Sequence, residues 1–490
     1  MFPIPLGGRA ADYNSKKAAG TVVNMYATVN NDKSFKDVNR TEGLKEACVL
    51  GAGPIRSDLI THRGYVYAVS GGDLYRFDKF YNVESLGSVG GGGRCVIVPN
   101  SDPSRIEMLI LNGDGDGFVF IDDGATETLT QITDPNFTDK GPTSATILNE
   151  IFWAASNVRG FENQFIGSGV SDGTQWPTDR TGLAEEHPDA IVGLASKKSS
   201  LWIIGERTVE YWQTASSVNL PLRRTNGTTQ HFGCASKDSI SALDNGVAFF
   251  TDDRRVMYGE GGALQVISDL NFELKVRGNG TTQYPGFKKV DDAYGFWIDA
   301  TTHKTYVLTF PSEKWTWCFD IINGLPHIRE SWVDHNSIGL WRVNSSVSAF
   351  ETILGGDYKS GKIWELSLNY KTEGDHIQVP ILRTVPVGTT SNLTIPYAEL
   401  DMEVGVGNVN EDDPPLLQVR ISKDGGYTFT NAKPIDLGKV GNYRKRVPIR
   451  QLGRLVRFKE LVLEFRTTAP VRLTFYDLQA NIQKSMYSNG

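Results

Sequence analysis

The sequence predicts an all-β protein: a β-propeller of six or seven blades, followed by a β-sandwich-like domain and preceded by an extended arm. Three observations carry this reading. Hairpin signals fill the middle of the 490-residue chain, each a short apolar strand, a turn rich in Gly, Asn, Asp or Lys, and a strand of alternating aromatic and aliphatic residues. They recur at nearly even spacing. No window holds apolar residues at i, i+3, i+4 and i+7 between helix caps, so helix content is small.

The hairpin segments are LITHRGYVYAV, MLILNGDGDGFVFI, TILNEIFWAAS, VGLASKKSSLWIIG, ISALDNGVAFF, VDDAYGFWIDA and LWRVNSSVSAF. Their turns fall near Gly64, Gly113, Asn149, Lys198, Asn245, Asp292 and Ser345, spaced 49, 36, 49, 47, 47 and 53 residues apart. A period of about 40 to 50 residues with four short strands per unit is that of a propeller blade, and radial closure protects most sheet edges. Two or three stacked sandwiches are the rival architecture, and the regular spacing separates the two. Residues 51–375 are assigned to the propeller. Tryptophans 153, 202, 212, 297, 315, 317, 332, 341 and 364 are expected to fill the wedges between blades rather than to stack on sugars.

Around Gln378 the pattern changes to VPILRTVPV, IPYAELDMEV, LLQVRIS, NYRKRVPI, LVRFKELVLEF and VRLTFYDLQANI. These alternating strands assign residues 376–490 to a separate sandwich-like domain. Between two of them, Glu411, Asp412 and Asp413 precede Pro414 and Pro415 in a segment that reads as an exposed acidic loop. Residues 1–50 hold one good strand, TVVNMYATV, and read as an arm that completes another domain or reaches a neighbouring subunit.

The bulk numbers set the class. A chain of 490 residues has enough interior for two or three domains without staples. Cys48, Cys95, Cys234 and Cys318 are far apart, with no CxxC pair, which argues against a zinc site or disulfide framework and for synthesis in a reducing compartment. The N-terminus lacks the pattern of a secretory signal, and no apolar run approaches the roughly 20 residues of a membrane-spanning helix. A net charge of −7 is wrong for a protein that grips nucleic acid with its whole surface.

A search for chemistry finds turns. Ser422, Asp424, Gly426, Thr428 and Phe429 fit the Asp-box pattern S-x-D-x-G-x-T-[FW], a hairpin device in which Asp accepts backbone hydrogen bonds and Gly supplies conformational freedom. Asp114 and Asp116 invite a calcium reading, but the strand Phe118 to Ile121 follows where an EF-hand needs a helix and a Glu. Gly90 to Gly93 precedes no GK[ST]. The seven histidines, among them His62, His187, His231 and His335, lack metal-ligand spacing. No catalytic residue, metal or cofactor is assigned.

Longer blocks resemble one family. Val23-Asn24-Met25-Tyr26-Ala27, Thr133-Asp134-Pro135-Asn136-Phe137, Asp172-Gly173-Thr174-Gln175-Trp176, LWIIGERTVEYW (201–212), Leu308-Thr309-Phe310-Pro311 with Trp315 and Trp317, GGDYKSGKIWEL (355–366), and the Asp-Gly-Gly turn with Gln451-Leu452-Gly453-Arg454 follow in the order found in the packaged-DNA-stabilisation proteins of short-tailed bacteriophages. These are the tail hubs, or nozzles. The resemblance implies a structural virion protein, made and assembled in the host cytoplasm. It implies a homohexameric ring with a platform domain below the portal and its adaptor, and partners among tail fibres, spikes or needles. Such a ring retains packaged double-stranded DNA, lets it pass without sequence-specific binding, and meets the host envelope indirectly. In that setting the Glu411 to Asp413 loop is a candidate channel-facing element that repels DNA. The competing class is a carbohydrate-binding or glycan-cleaving propeller.

Overall fold

The computed structural model describes residues 2–6, 21–30, 35–184, 189–217, 219–243, 246–260, 263–280, 284–300, 303–333, 336–406, 414–457 and 459–484. Almost all regular structure is strand. The α-helices among the described residues are two short ones, Pro135–Thr138 and Leu270–Arg277.

Six four-stranded antiparallel blades occupy residues 60–88, 96–131, 144–183, 191–224, 241–266 and 294–328. A seventh takes three strands, Val343–Ala349, Thr352–Asp357 and Lys362–Ser367, from the far end of the propeller and its fourth, Gly43–Val49, from the N-terminus. The first strands of the seven blades neighbour one another in a closed circuit, that of the seventh lying beside that of the first. Of the six or seven blades expected, seven are present among the described residues.

Blade 2 shows why these residues make these elements. Its central strand Ile106–Leu111 is buried throughout, as a strand packed on both faces must be. The Asn112–Asp116 turn that follows closes on itself: the Asn112 side-chain oxygen accepts the amides of Asp114 (2.9 Å) and Asp116 (3.2 Å), and Gly113 and Gly115 take φ of +87° and +106°. The Asp114 carboxylate accepts the Gly92 amide at 2.7 Å, and Asp116 accepts from the Asn112 amide nitrogen at 3.1 Å. The alternating acids are thus tied into the hairpin and its neighbouring loop.

Seven apolar clusters fill the wedges between successive blades. Tyr67 and Met108 lie in the one between blades 1 and 2, Trp153 and Leu201 between 3 and 4, Trp202 and Phe249 between 4 and 5, and Trp341 with Trp364 between 6 and 7. The tryptophans of the repeated strands therefore serve as core.

One of the expected turns sits elsewhere. Ser345 lies inside the Val343–Ala349 strand, fully buried, and the turn comes at Phe350 and Glu351. The polar run Asn344–Ser346 mimics a turn in sequence but forms hydrogen bonds from the innermost strand, as Asn344 does to the Ile55 carbonyl at 2.6 Å. Asp292 does lie in a turn, in which the Ala293 amide donates to the Val290 carbonyl at 3.3 Å, but that turn leads into the Tyr294–Asp299 strand instead of joining two strands of a hairpin. Asn245 lies outside the described residues.

The sandwich packs two sheets over one core. One runs Met25–Val29, Phe35–Arg40, Thr474–Lys484, Leu393–Met402 and Val447–Leu455, with Phe2–Pro3 also on the Thr474–Lys484 strand. The other runs Val22–Val23, Ile381–Arg383, Glu460–Arg466, Leu416–Ser422 and Lys433–Asp436, and through Val22–Val23 it continues into the last strand of blade 6, His327–Ile328. Propeller and sandwich thus share one ten-stranded sheet.

Candidate functional site: the N-terminal clasp

The N-terminal strands are where the two halves meet. Val23 pairs in parallel with Ile328 of blade 6 and antiparallel with Ile381 of the sandwich. Asn24 then takes a left-handed conformation (φ +52°), which Asn tolerates better than most residues, and redirects the chain into the sandwich sheet. Its side-chain nitrogen donates to the carbonyls of Glu330 (2.9 Å) and Val379 (3.1 Å), while its oxygen accepts the Glu330 amide at 3.0 Å. Met25 is wholly buried in the sandwich core and Tyr26 packs on the His303 ring at 4.6 Å. Four of the five residues of the first family-like block therefore make the junction itself. Farther on, Gly43–Val49 pairs with Lys362–Ser367 to close blade 7. There Gly361 approaches so closely that a Cβ on it would lie 2.1 Å from the Gly51 carbonyl oxygen.

Beneath these strands lies a buried charge network. Glu42 accepts from Arg329 at 2.5 Å and lies 3.0 Å from His303 Nε2, and all three are almost fully buried. Burial pushes the Glu42 carboxyl up, but the charges and hydrogen bonds of Arg329 and His303 outweigh it and hold the group well below the usual carboxylate range. Arg329 also lies over the Trp341 ring at 4.5 Å. Arg40 donates to the carbonyls of Ala469 (2.9 Å), Val471 (2.9 Å), Lys371 (2.6 Å) and Gln378 (2.6 Å), and to the Gln378 side chain at 2.9 Å. Burial lowers its guanidinium to about 10, against the pull of Glu373, so it stays charged at neutral pH. Glu373 accepts the Trp341 indole at 3.1 Å, and burial raises its carboxyl to about 7. Burial likewise drives His327 far below the ordinary imidazole range, so its ring is neutral.

Solvent scarcely reaches these groups. A buried ion pair offset by its desolvation contributes little net stability, but removing one partner strands the other. The network therefore acts as a registration device: only the correct seating of Arg40, Glu42 and Gln378 satisfies blades 6 and 7 and the sandwich together. No sequence signal marks it, because Glu42 lies more than 250 residues before His303, Arg329 and Glu373, and those three fall at no regular spacing.

Other family-like blocks are locks of the same kind. Asp134 caps the Pro135–Thr138 helix and accepts the Trp176 amide at 2.8 Å, and Phe137 packs on the Trp176 ring at 4.8 Å, so two blocks some 40 residues apart in sequence form one unit. In the 355–366 block, Asp357 accepts from Trp364 (2.9 Å) and Arg342 (3.1 Å).

The Asp-box segment is a turn on the sandwich. The Asp424 carboxylate accepts from the Ser422 hydroxyl (2.6 Å), the Tyr427 amide (3.0 Å) and both the amide and hydroxyl of Thr428 (3.0 and 2.5 Å), which hold it well below the usual range. The Gly426 amide donates to Ser422 at 2.8 Å. Phe429 lies between the guanidinium groups of Arg383 (5.4 Å) and Arg420 (5.0 Å), both paired with the buried Glu464. Glu411, Asp412 and Asp413 lie outside the described residues, as do His187 and His335.

This arrangement defines a class: a seven-bladed propeller and a sandwich stitched into one body by the chain's own N-terminus. A family model described as bacteriophage P22 Gp10, beta-propeller, matches residues 2–275, and its counterpart for the beta-sandwich matches residues 384–483. The chain belongs to the P22 Gp10 family, the tail-hub and DNA-stabilisation proteins of short-tailed phages, and so to a family of structural virion tail components. Among the described residues no helix is long and apolar enough to cross a membrane. No curated protein matches the sequence.

Solved structures match this chain at low similarity. Raptor of Chaetomium thermophilum is 8% identical over 67% of this chain and 29% of its own (TM-score 0.41). The computationally designed Ika8 protein is 13% identical over 66% and 100% (0.36), and PorZ of Porphyromonas gingivalis 11% over 81% and 53% (0.36). At these scores they carry no functional information.

Proposed function

We propose that this chain is the subunit of a homohexameric ring that closes the head-tail channel below the portal and its adaptor, retains the packaged genome, forms its exit conduit and anchors fibres, spikes or needles. The reading has no catalytic step. The observation that carries it is the clasp in a chain of this family: a sheet continuous from blade 6 into the sandwich makes each subunit one body, as a ring under the pressure of packaged DNA requires. Ring closure needs a heterologous interface repeated with rotation. The second sandwich sheet offers Lys433–Asp436 as an edge strand for it.

The test is assembly. Sedimentation of the purified chain with and without the adaptor–portal complex is expected to show six copies joining the complex. Failure to associate, together with hydrolysis of glycans by the free subunit, overturns the proposal in favour of a carbohydrate-active propeller.

A further inference from the structure

Charge is divided unevenly between the two halves. Residues 51–375 carry 28 Lys and Arg against 41 Asp and Glu, whereas residues 376–490 carry 15 against 11. The excess is concentrated further: residues 443–459 hold seven Lys and Arg and no acid. This stretch contains the Val447–Leu455 strand, which lies at the edge of its sheet. Arg450 and Arg454 are exposed on it, opposite Tyr397 and Thr394 in register. Gln451 and Gly453 take positive φ (+61° and +81°), and the resulting bulge keeps Leu452 in the core while both arginines stay outside.

A third cation arrives from the Asp-box turn. The Lys423 ammonium lies against Gly453, 2.9 Å from where a Cβ would stand, so the turn delivers a lysine to the arginine strand. Lys459 is exposed in the loop beyond. Lys423, Arg450, Arg454 and Lys459 make no ion pair or side-chain hydrogen bond among the described residues, whereas Arg446, just before the strand, is held by Glu399 at 2.5 Å and Lys445 by Asp436 at 2.5 Å. The acid next in sequence, Glu460, is turned against Gly425.

We propose that this strip, Lys423, Arg450, Arg454 and Lys459, is a contact surface for the phosphate backbone of duplex DNA. It rests on the tail-hub reading for the identity of its ligand. Because they stand opposite Thr394 and Tyr397, three residues apart on the partner strand, Arg450 and Arg454 are about 10 Å apart at a strand rise of roughly 3.3 Å, close to the rise of three base-pair steps at roughly 3.4 Å each. The outward neighbours across the sheet, Thr394, Tyr397, Asn481 and Gln483, are hydrogen-bonding side chains, with Val456 at the end of the strip. A stable protein interface has an apolar core depleted of charge. A flat face of cations, hydroxyls and amides instead suits phosphate and sugar, which position a duplex without reading its sequence. With the rest of the chain acidic, a few contacts per subunit hold DNA on one track while the remaining surface repels it.

The test uses the full chain and a fluorescently labelled 30-base-pair duplex of arbitrary sequence, with anisotropy followed from 50 to 200 mM salt. The wild-type chain is expected to bind at the low end. K423A/R450A/R454A is expected to lose at least tenfold in affinity at 50 mM and to lower the salt slope by about 2 to 3, roughly one per phosphate contact removed. K79A/K288A/K289A, an equal charge change at exposed propeller lysines, is expected to bind as the wild type does; matching thermal unfolding of all three proteins shows that each is folded. No wild-type binding at 50 mM, an unchanged triple variant, or equal loss in the propeller control overturns the proposal. So does altered sedimentation of the triple variant alone with DNA binding retained, which makes the strip an interface between copies. A chain that joins the adaptor–portal complex but binds no duplex overturns this proposal alone, and one that binds duplex but does not assemble overturns the tail-hub reading alone.

Discussion

Propeller and sandwich are built from the same unit, the antiparallel strand pair, but they are held together differently. Within blades 1 to 6 each strand pairs with its neighbour in sequence, and each apolar wedge joins residues of adjacent blades, as Leu109 and Phe152 do between blades 2 and 3. The sandwich core instead joins Ile4, Leu6, Met25 and Val38 to Leu382, Leu463, Phe475 and Leu478 across nearly the whole chain. Blade 7 stands between these regimes, three strands local and one from residues 43–49. The difference teaches that the propeller is a run of local commitments, and that the N-terminus is the element that turns two half-finished domains into one.

The strongest way to break this comparison is to remove residues 1–50. Truncation exposes the Lys362–Ser367 edge and takes Met25 and Val38 out of the sandwich core; the expected outcome is no soluble, cooperatively unfolding protein, judged by expression and calorimetry. A truncated chain with the full-length melting profile would show that each half is complete without its clasp.

Glu42→Ala is a finer cut. It leaves Arg329 buried without its carboxylate, and a loss of about 3–5 kcal/mol is expected in urea unfolding. Because Glu42 lies between blade 6 and the sandwich-facing strands, near-ultraviolet signals from both halves are expected to shift to the same new midpoint. Separate midpoints would place the network inside one domain.

Glu373→Gln tests the network by pH. The folded carboxyl titrates near 7 and the unfolded one near 4.5, so the folded state holds the proton more tightly. The stability associated with this group is complete below about 4.5 and is lost as pH rises towards 7, by roughly 3 kcal/mol in all. The glutamine variant lacks this loss, and its stability relative to wild type is expected to climb across that window and then level. Glu42, held low, acts with the opposite sign: its contribution is present above about 4.5 and lost as pH falls. A difference curve flat from pH 4 to 8 would sink the assignment to Glu373.

Asp424→Ala is expected to have the smallest effect, about 1 kcal/mol, because the turn is exposed and its hydrogen bonds exchange readily for water. Its consequence should be read as a small shift in the denaturation midpoint that the two halves share.

Much of the fold was legible, for identifiable reasons. The NGDGDG turn declares itself because Asn112 accepts the amides of Asp114 and Asp116 while Gly113 and Gly115 take positive φ, all within a few residues. Legibility failed where polar residues served a distant partner: Asn344 and Ser345 imitate a turn, yet their hydrogen bonds belong to the innermost strand of blade 7. Among candidate sites, the Asp-box turn was visible from its own five residues. The lysine it presents to Gly453 was not, since that depends on how two strands lie side by side.

The sequence by itself determined the all-β class, the repeated blades and the change of pattern near Gln378, because each is written in residues that touch neighbours close along the chain. Only the tertiary structure decided what the first 50 residues do. It also decided which charges are buried together and which cations are left exposed in a row. Those outcomes depend on strand edges meeting across hundreds of residues, where burial sets the worth of a charge and no local pattern records it.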